Sequence, residues 1–194
     1  MNHSFFTKIL LGSLFFLTTA NATFLQAQEA QPDLATATIL CNKRPVTIPL
    51  FNGAGVDTNE GDGTCMTDIA ETNTTWFTWT GKTDGNFSFT IQPTNPNDRI
   101  AFVLFDIPNG GEPVALRCGE ACFAGATGLV EGDNDANVDC QNNPTDGFAR
   151  ALSMQADLTY GLMIENTSSN EGFTIVFGGS GEVVGPVGQI LPSA

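Results

Sequence analysis

Oxygen-bearing side chains recur at every second position in one segment: Asp133, Asp135, Asn137 and Asp139 within Glu131-Gly-Asp-Asn-Asp-Ala-Asn-Val-Asp139. Calcium takes about six to eight oxygen ligands, and a tight loop with this spacing can turn several inward at once. The four residues are therefore candidate calcium ligands. The segment is not an EF-hand loop, because Val138 stands where the sharp turn needs glycine and Pro144 where the bidentate glutamate belongs. The competing reading is a solvated acidic loop that keeps the protein soluble. A second acidic loop, Asp57-Thr-Asn-Glu-Gly-Asp-Gly63, carries the same two readings. If the two loops met at one end of the fold, they could share an ion.

Trp76, Phe77 and Trp79 lie in the run Thr74-Thr-Trp-Phe-Thr-Trp-Thr80, where successive side chains point to opposite faces of a strand. At least one ring is thus free to face outward, and an exposed indole can cover the apolar face of a pyranose. Trp76 and Trp79 are candidate ligand-stacking residues, against the plainer expectation that such rings belong to a core. The five cysteines, Cys41, Cys65, Cys118, Cys122 and Cys140, are disulfide candidates. Two bonds and one free thiol is the simplest count. Cys41–Cys65 is the expected first pair, because both flank the first predicted strand and close a loop of the kind that stabilises by about 3 kcal/mol. Cys140 then pairs with Cys118 or Cys122, and spacing does not choose between them. Zinc held by these three thiols and a carboxylate is disfavoured in an oxidising compartment.

Histidine chemistry is excluded on simpler grounds. The only histidine is His3, inside a segment expected to be removed, so Ser-His, Cys-His and His-metal arrangements are unavailable to the mature chain. No G-x-S-x-G occurs. Paired carboxylates across a cleft, the glycosidase arrangement, remain as the alternative route to catalysis, but acids scattered through loops specify no pair. The sequence reads as non-enzymatic.

The elements that position these residues follow from the apolar pattern. Lys8, the run Ile9-Leu-Leu-Gly-Ser-Leu-Phe-Phe-Leu17 and Ala20-Asn21-Ala22 have the order of a secretory signal peptide over 1–22. No later stretch is apolar and long enough to span a membrane. A flexible lead-in over 23–35, a folded domain over 36–186 and a tail over 187–194 complete the expected organisation. Short apolar or alternating runs bounded by turn residues recur at 46–51, 74–80, 86–92, 100–105, 148–154, 160–164 and 172–177. They predict a single antiparallel β-sandwich of about eight strands. The stretch 117–147 is rich in Gly, Asp, Asn and Cys, and reads as a long loop that cysteines, and a metal if one binds, would pin. With 21 acidic against 7 basic residues the net charge is -14, which disfavours nucleic acid as a partner.

Several runs together resemble a known family. Trp76-Phe-Thr-Trp-Thr80, Asn97-Asp-Arg-Ile-Ala-Phe-Val-Leu-Phe105, Leu116-Arg-Cys118, Ala126-Thr-Gly-Leu129 and the stretch from Met163 to Gly179 look like a secreted β-sandwich domain frequent in Bacteroidetes surface proteins. That domain is itself similar to CUB and bacterial pre-peptidase C-terminal domains. The resemblance implies a jelly-roll or CUB-like sandwich at the cell surface, with roles in adhesion, gliding or glycan contact. It also implies a calcium site at one end of the sandwich, onto which Glu165 and Asn166 map. The sorting domain that accompanies such domains is absent after the last predicted strand, which leaves periplasm, cell surface and medium open. The expected function is an exported, non-catalytic binding or adhesion module acting on envelope proteins or extracellular polysaccharide. The alternatives are a self-assembling structural subunit, or an accessory subunit of an envelope machine. The segment Thr23–Ala35 is the natural strand donor for self-assembly.

Overall fold

In the computed structural model, residues 26–186 are described apart from 67 and 143. The expected signal peptide, 1–22, and the tail, 187–194, lie outside the described residues. In chain order the strands are β1 (Gln26–Ala27), β2 (Thr38–Ile39), β3 (Val46–Leu50), β4 (Thr74–Gly81), β5 (Gly85–Pro93), β6 (Ile100–Asp106) and β7 (Val114–Gly119). They continue as β8 (Thr127–Val130), β9 (Asn137–Val138), β10 (Phe148–Arg150), β11 (Leu152–Met154), β12 (Thr159–Asn166), β13 (Glu171–Gly178) and β14 (Val183–Val184). Eight of them, β3 to β8 with β12 and β13, have four residues or more, and these build the sandwich the sequence predicts.

One sheet runs β1-β3-β13-β5-β8-β10 with β11 on β5, and the other runs β14-β4-β12-β6-β7-β9 with β2 on β4. Every pairing among the eight longer strands is antiparallel. The parallel pairings all involve a two- or three-residue strand added at the periphery, so the sheets are of mixed orientation. Such short edge pieces blunt a sheet against further pairing.

The two sheets differ in what covers them. In β5, Phe87, Phe89 and Ile91 point into the sandwich, while Ser88, Thr90 and Gln92 point out, the half-buried alternation of an antiparallel strand. In β4 every residue from Thr74 to Trp79 is buried, and all of β12 is buried. Phe77 and Trp79 join the sandwich core, whereas Trp76 belongs to a second apolar cluster with Leu34, Met66, Val103, Phe105 and Met163. This second cluster roofs the outer face of β4, β12 and β6. Sequence alternation could not show it, because the roof comes from elsewhere in the chain.

The roof has two parts, and both correct expectations. Residues 26–35 are no flexible lead-in. Gln26–Ala27 pairs with β3, Gln31 accepts the Trp76 N–H at 2.7 Å and donates its own to Thr75 Oγ1 at 3.0 Å, and Ala30 and Leu34 are buried. The 51–73 connection supplies the rest, with Met66 buried in the second cluster and Cys65 and Ile69 packed against it. The long loop 117–147 is also reassigned, since the end of β7, all of β8 and β9 fall within it. Gly119 and Gly128 weakened the strand signal there, yet each sits where no side chain fits. A Cβ on Gly119 would strike the Phe102 ring, and one on Gly128, at φ 145, would strike the Phe89 carbonyl.

The cysteine pairing differs from expectation as well. The bonds are Cys65–Cys118 and Cys122–Cys140, and Cys41 is free and exposed. Cys41 follows β2, which lies on β4 toward one edge of its sheet, while the connection bearing Cys65 reaches β7 toward the other. Of the two partners left open for Cys140, the structure selects Cys122. Replacing Cys122 and Cys140 together by Ser should cost about 3 kcal/mol in chemical denaturation. Cys41→Ser should leave stability unchanged, and alkylation of the denatured, unreduced protein should label Cys41 alone.

Candidate functional site: an acidic pocket over Trp76

The Trp76 ring lies on the outer face of β4 against Phe105, with ring centroids 5.3 Å apart. The indole N–H in this apolar surround needs an acceptor, and Glu60 supplies it: Trp76 Nε1 donates to Glu60 Oε2 at 2.6 Å. The other Glu60 oxygen accepts the Leu34 N–H at 2.9 Å. One carboxylate thereby joins both halves of the roof to the sheet beneath.

A cavity of about 280 Å³ opens beside this junction. Leu34, Trp76 and Phe105 form its apolar side, Asp57, Asp62 and Glu112 stand with Glu60 around it, and its lining contains no lysine or arginine. Burial pushes the Glu60 carboxyl up to about 7. The Leu34 and Trp76 donors pull it down, and the charges of Glu71 and Asp57 push it further up. Behind the same loop, Glu71 is 9% exposed and accepts the Gly61 N–H at 2.8 Å through Oε1. Its Oε2 has no hydrogen-bond partner. Burial first, and then the charges of Glu165 and Asp57, hold its carboxyl above the ordinary range. A concave site with convergent polar groups and a perturbed acid is where a ligand is best sought.

The residues singled out from sequence fall elsewhere, with one exception. Trp76 closes the bottom of this pocket, but it is only 1% exposed and offers no open stacking face. Trp79 is wholly buried in the sandwich between Phe87 and Tyr160, at centroid distances of 4.7 and 5.9 Å. The expectation of an outward aromatic fails because the sheet is covered on both faces.

Glu165 and Asn166 end β12 and are both 0% exposed. Glu165 Oε1 accepts from Thr72 N, Thr72 Oγ1 and Asn73 N, and Oε2 accepts from Thr74 Oγ1 at 2.6 Å. Asn166 donates to Asp98 Oδ2 and the Glu171 carbonyl, each at 2.8 Å, and accepts the Ser168 and Ser169 N–H groups. Both side chains therefore organise turns. In the 133–139 loop, Asp133 accepts the Asp135 N–H and Asp139 accepts the Gln141 N–H. Asp135, Asn137 and Asp139 line a separate shallow cavity with Asn142, which shares no residue with the Glu60 pocket. The two acidic loops do not converge on one ion.

Among the described residues, the one cluster of three acid or thiol ligand atoms within 4.8 Å is Glu120, Cys122 and Cys140, whose sulfurs are already bonded to each other. The importance of Glu60 was half visible, since Asp57 to Gly63 stands out as an acidic loop. That Glu112 and Glu71 would join it has no signal in the sequence.

Comparison with protein-family models, with curated proteins and with solved structures finds no match in any of the three.

Two outcomes follow from these environments. Glu165→Ala should destabilise the protein by about 3 kcal/mol, because it removes a fully buried side chain and strands four donors, the buried Thr74 hydroxyl among them. Asp135→Asn on the exposed loop should stay within about 0.5 kcal/mol in the same urea titration. For Glu60 the folded pKa is raised from 4.5 to about 7. The folded state thus holds the proton more tightly, and this contribution to stability is complete below the lower value and lost as pH rises through the upper one. The Tm of the wild type should fall between about pH 5 and about pH 8 by more than that of Glu60→Gln.

Proposed function

We propose that the protein is an exported, non-catalytic binding module that acts on cell-envelope or surface proteins or on extracellular polysaccharide, with the pocket over Trp76 as its main ligand site. The observation that carries this reading is the pairing of an apolar floor with a rim of Asp57, Glu60, Asp62 and Glu112 and no cation in the lining. A positively charged group on an apolar stem complements both parts. A lysine side chain of an envelope protein has that chemistry: its ammonium donates to carboxylates while its methylenes lie along Pro113 and Ala115, the accessible apolar part of the lining. The signal-peptide pattern and the two disulfides support export, to periplasm, cell surface or medium. Among the described residues no helix is long and apolar enough to cross a membrane. The resemblance to Bacteroidetes surface sandwiches points toward adhesion. Self-assembly by strand donation draws less support, because residues 26–35 are tied into their own domain.

A carboxylate-based glycosidase has one specific observation behind it, a carboxyl ionising near pH 7 in a pocket with other acids. Against it, both Glu60 oxygens accept N–H groups that hold the carboxyl against the protein.

The test is titration of the mature protein with Nα-acetyl-lysine methylamide, followed by calorimetry and tryptophan fluorescence. Saturable binding is expected, weakening about tenfold or more in Glu112→Gln and Glu60→Gln, with none for the neutral norleucine analogue. Equal binding of the norleucine compound, or no binding at all, rules the reading out. Release of reducing ends from a polysaccharide panel, lost in Glu60→Gln, would establish the glycosidase instead.

A further inference from the structure

A second cavity, about 560 Å³, lies on the other side of the 51–73 connection. Its walls come from Cys65, Asp68, Ile69 and Thr72, from Arg99 ahead of β6, from Thr167 after β12 and from the cystine-bound segment around Glu120 and Gln141. In a chain with 7 basic residues against 21 acidic ones, Arg99 is the only cation lining it. Among the described residues its guanidinium has neither an ion pair nor a hydrogen bond, although Asp68 and Glu120 line the same cavity. Both carboxylates thus stand more than 4.0 Å from it. Opposite charges facing one gap without meeting leave room for a ligand that bridges them.

The walls are held in place independently of any ligand. The Arg99 N–H donates to Ser168 Oγ at 3.0 Å, and Thr167 donates to the Arg99 carbonyl through both its N–H and its hydroxyl. Across the gap, Glu120 Oε2 accepts the Cys140 N–H at 2.8 Å. Cys140 is bonded to Cys122 and Cys65 to Cys118. A pre-formed site loses less freedom on binding.

We infer that this cavity binds a single uronate unit within a polysaccharide, its carboxylate on Arg99 and its hydroxyls donating to Asp68 and Glu120. One guanidinium suits a single planar carboxylate. The two protein carboxylates only accept hydrogen bonds, so the remainder of the ligand must donate, as sugar hydroxyls do. They also repel a polyphosphate or a nucleic acid, which brings several charges and few donors. Ile69 and Ala121 give the C–H face of a sugar ring an apolar surface. None of these residues lines the pocket over Trp76, so this site stands whether or not that pocket holds a cation.

The experiment titrates the full mature protein with methyl glucuronide, with methyl glucoside as the neutral arm and glycine as the zwitterionic arm, observed by calorimetry and by amide chemical shifts. Saturable binding of the glucuronide is expected, about tenfold or more tighter than the glucoside. Shifts should centre on Arg99, Glu120 and Ala121. Arg99→Gln should abolish the preference with an unchanged Tm, because the replaced side chain is exposed and unbonded. Glu120→Gln should weaken both sugars, and Glu60→Gln neither. Equal binding of both sugars, retention of the preference in Arg99→Gln, binding of glycine but not glucuronide, or no binding of any probe would each overturn the assignment.

Discussion

A sheet that is apolar on both faces must be covered on both, and that requirement organises this molecule. The inner face of β4, β12, β6 and β7 is covered by the other sheet. The outer face, with Trp76, Val103, Phe105 and Met163, needs a roof that no regular element provides. Irregular backbone over an apolar surface brings its own difficulty, because N–H groups that lose water must find acceptors within the protein. Here side-chain carboxylates take that role. Asp33 accepts from Val56 and Asp57, Glu60 from Leu34, Glu71 from Gly61, and Glu165 from Thr72 and Asn73. The acidic character of this side of the protein is first of all a solution to covering a sheet.

The same solution produces the candidate site. The number of donors around each carboxylate sets its character. Glu165 receives four hydrogen bonds across both oxygens and is fully enclosed. Glu60 receives two and faces a cavity. Glu71 keeps one oxygen without a partner. For Glu60 and Glu71 burial outweighs the few donors present, and both carboxyls rise. The site follows from structural acids left partly unsatisfied at the edge of the roof.

How much of this the sequence discloses depends on the range of the interaction. Strands whose two faces see different surroundings, such as Phe87 to Ile91 against Ser88 and Thr90, declare themselves by alternation, and the sandwich follows from them. β8 does not, because Gly128 answers to the Phe89 backbone on a neighbouring strand. The cystine pairing and the position of Trp76 depend on where a connection crosses a sheet, and no local pattern encodes that path. The acidic loop 57–63 was visible as a cluster, yet its acceptors serve Leu34 and Trp76, far off in the chain. Glu165 and Asn166 stood out through a family resemblance. In the fold their hydrogen bonds hold the turns at 72–74 and 168–171.

The 51–73 connection also frames both cavities. Its first half, through Asp57, Glu60 and Asp62, walls the pocket over Trp76, and its second half, through Cys65, Asp68 and Thr72, walls the groove that holds Arg99. Between them, Met66 is 1% exposed in the second apolar cluster, and Cys65 is bonded to Cys118 on β7. A segment anchored at its middle by a covalent bond and a buried side chain cannot move one wall without the anchor yielding. The two cavities therefore share a support while differing in chemistry, the charged groups of one being all acids and those of the other including the Arg99 guanidinium. A strongly acidic, disulfide-bonded domain can in this way offer two chemically different cavities along one connection, without any change to the sandwich beneath.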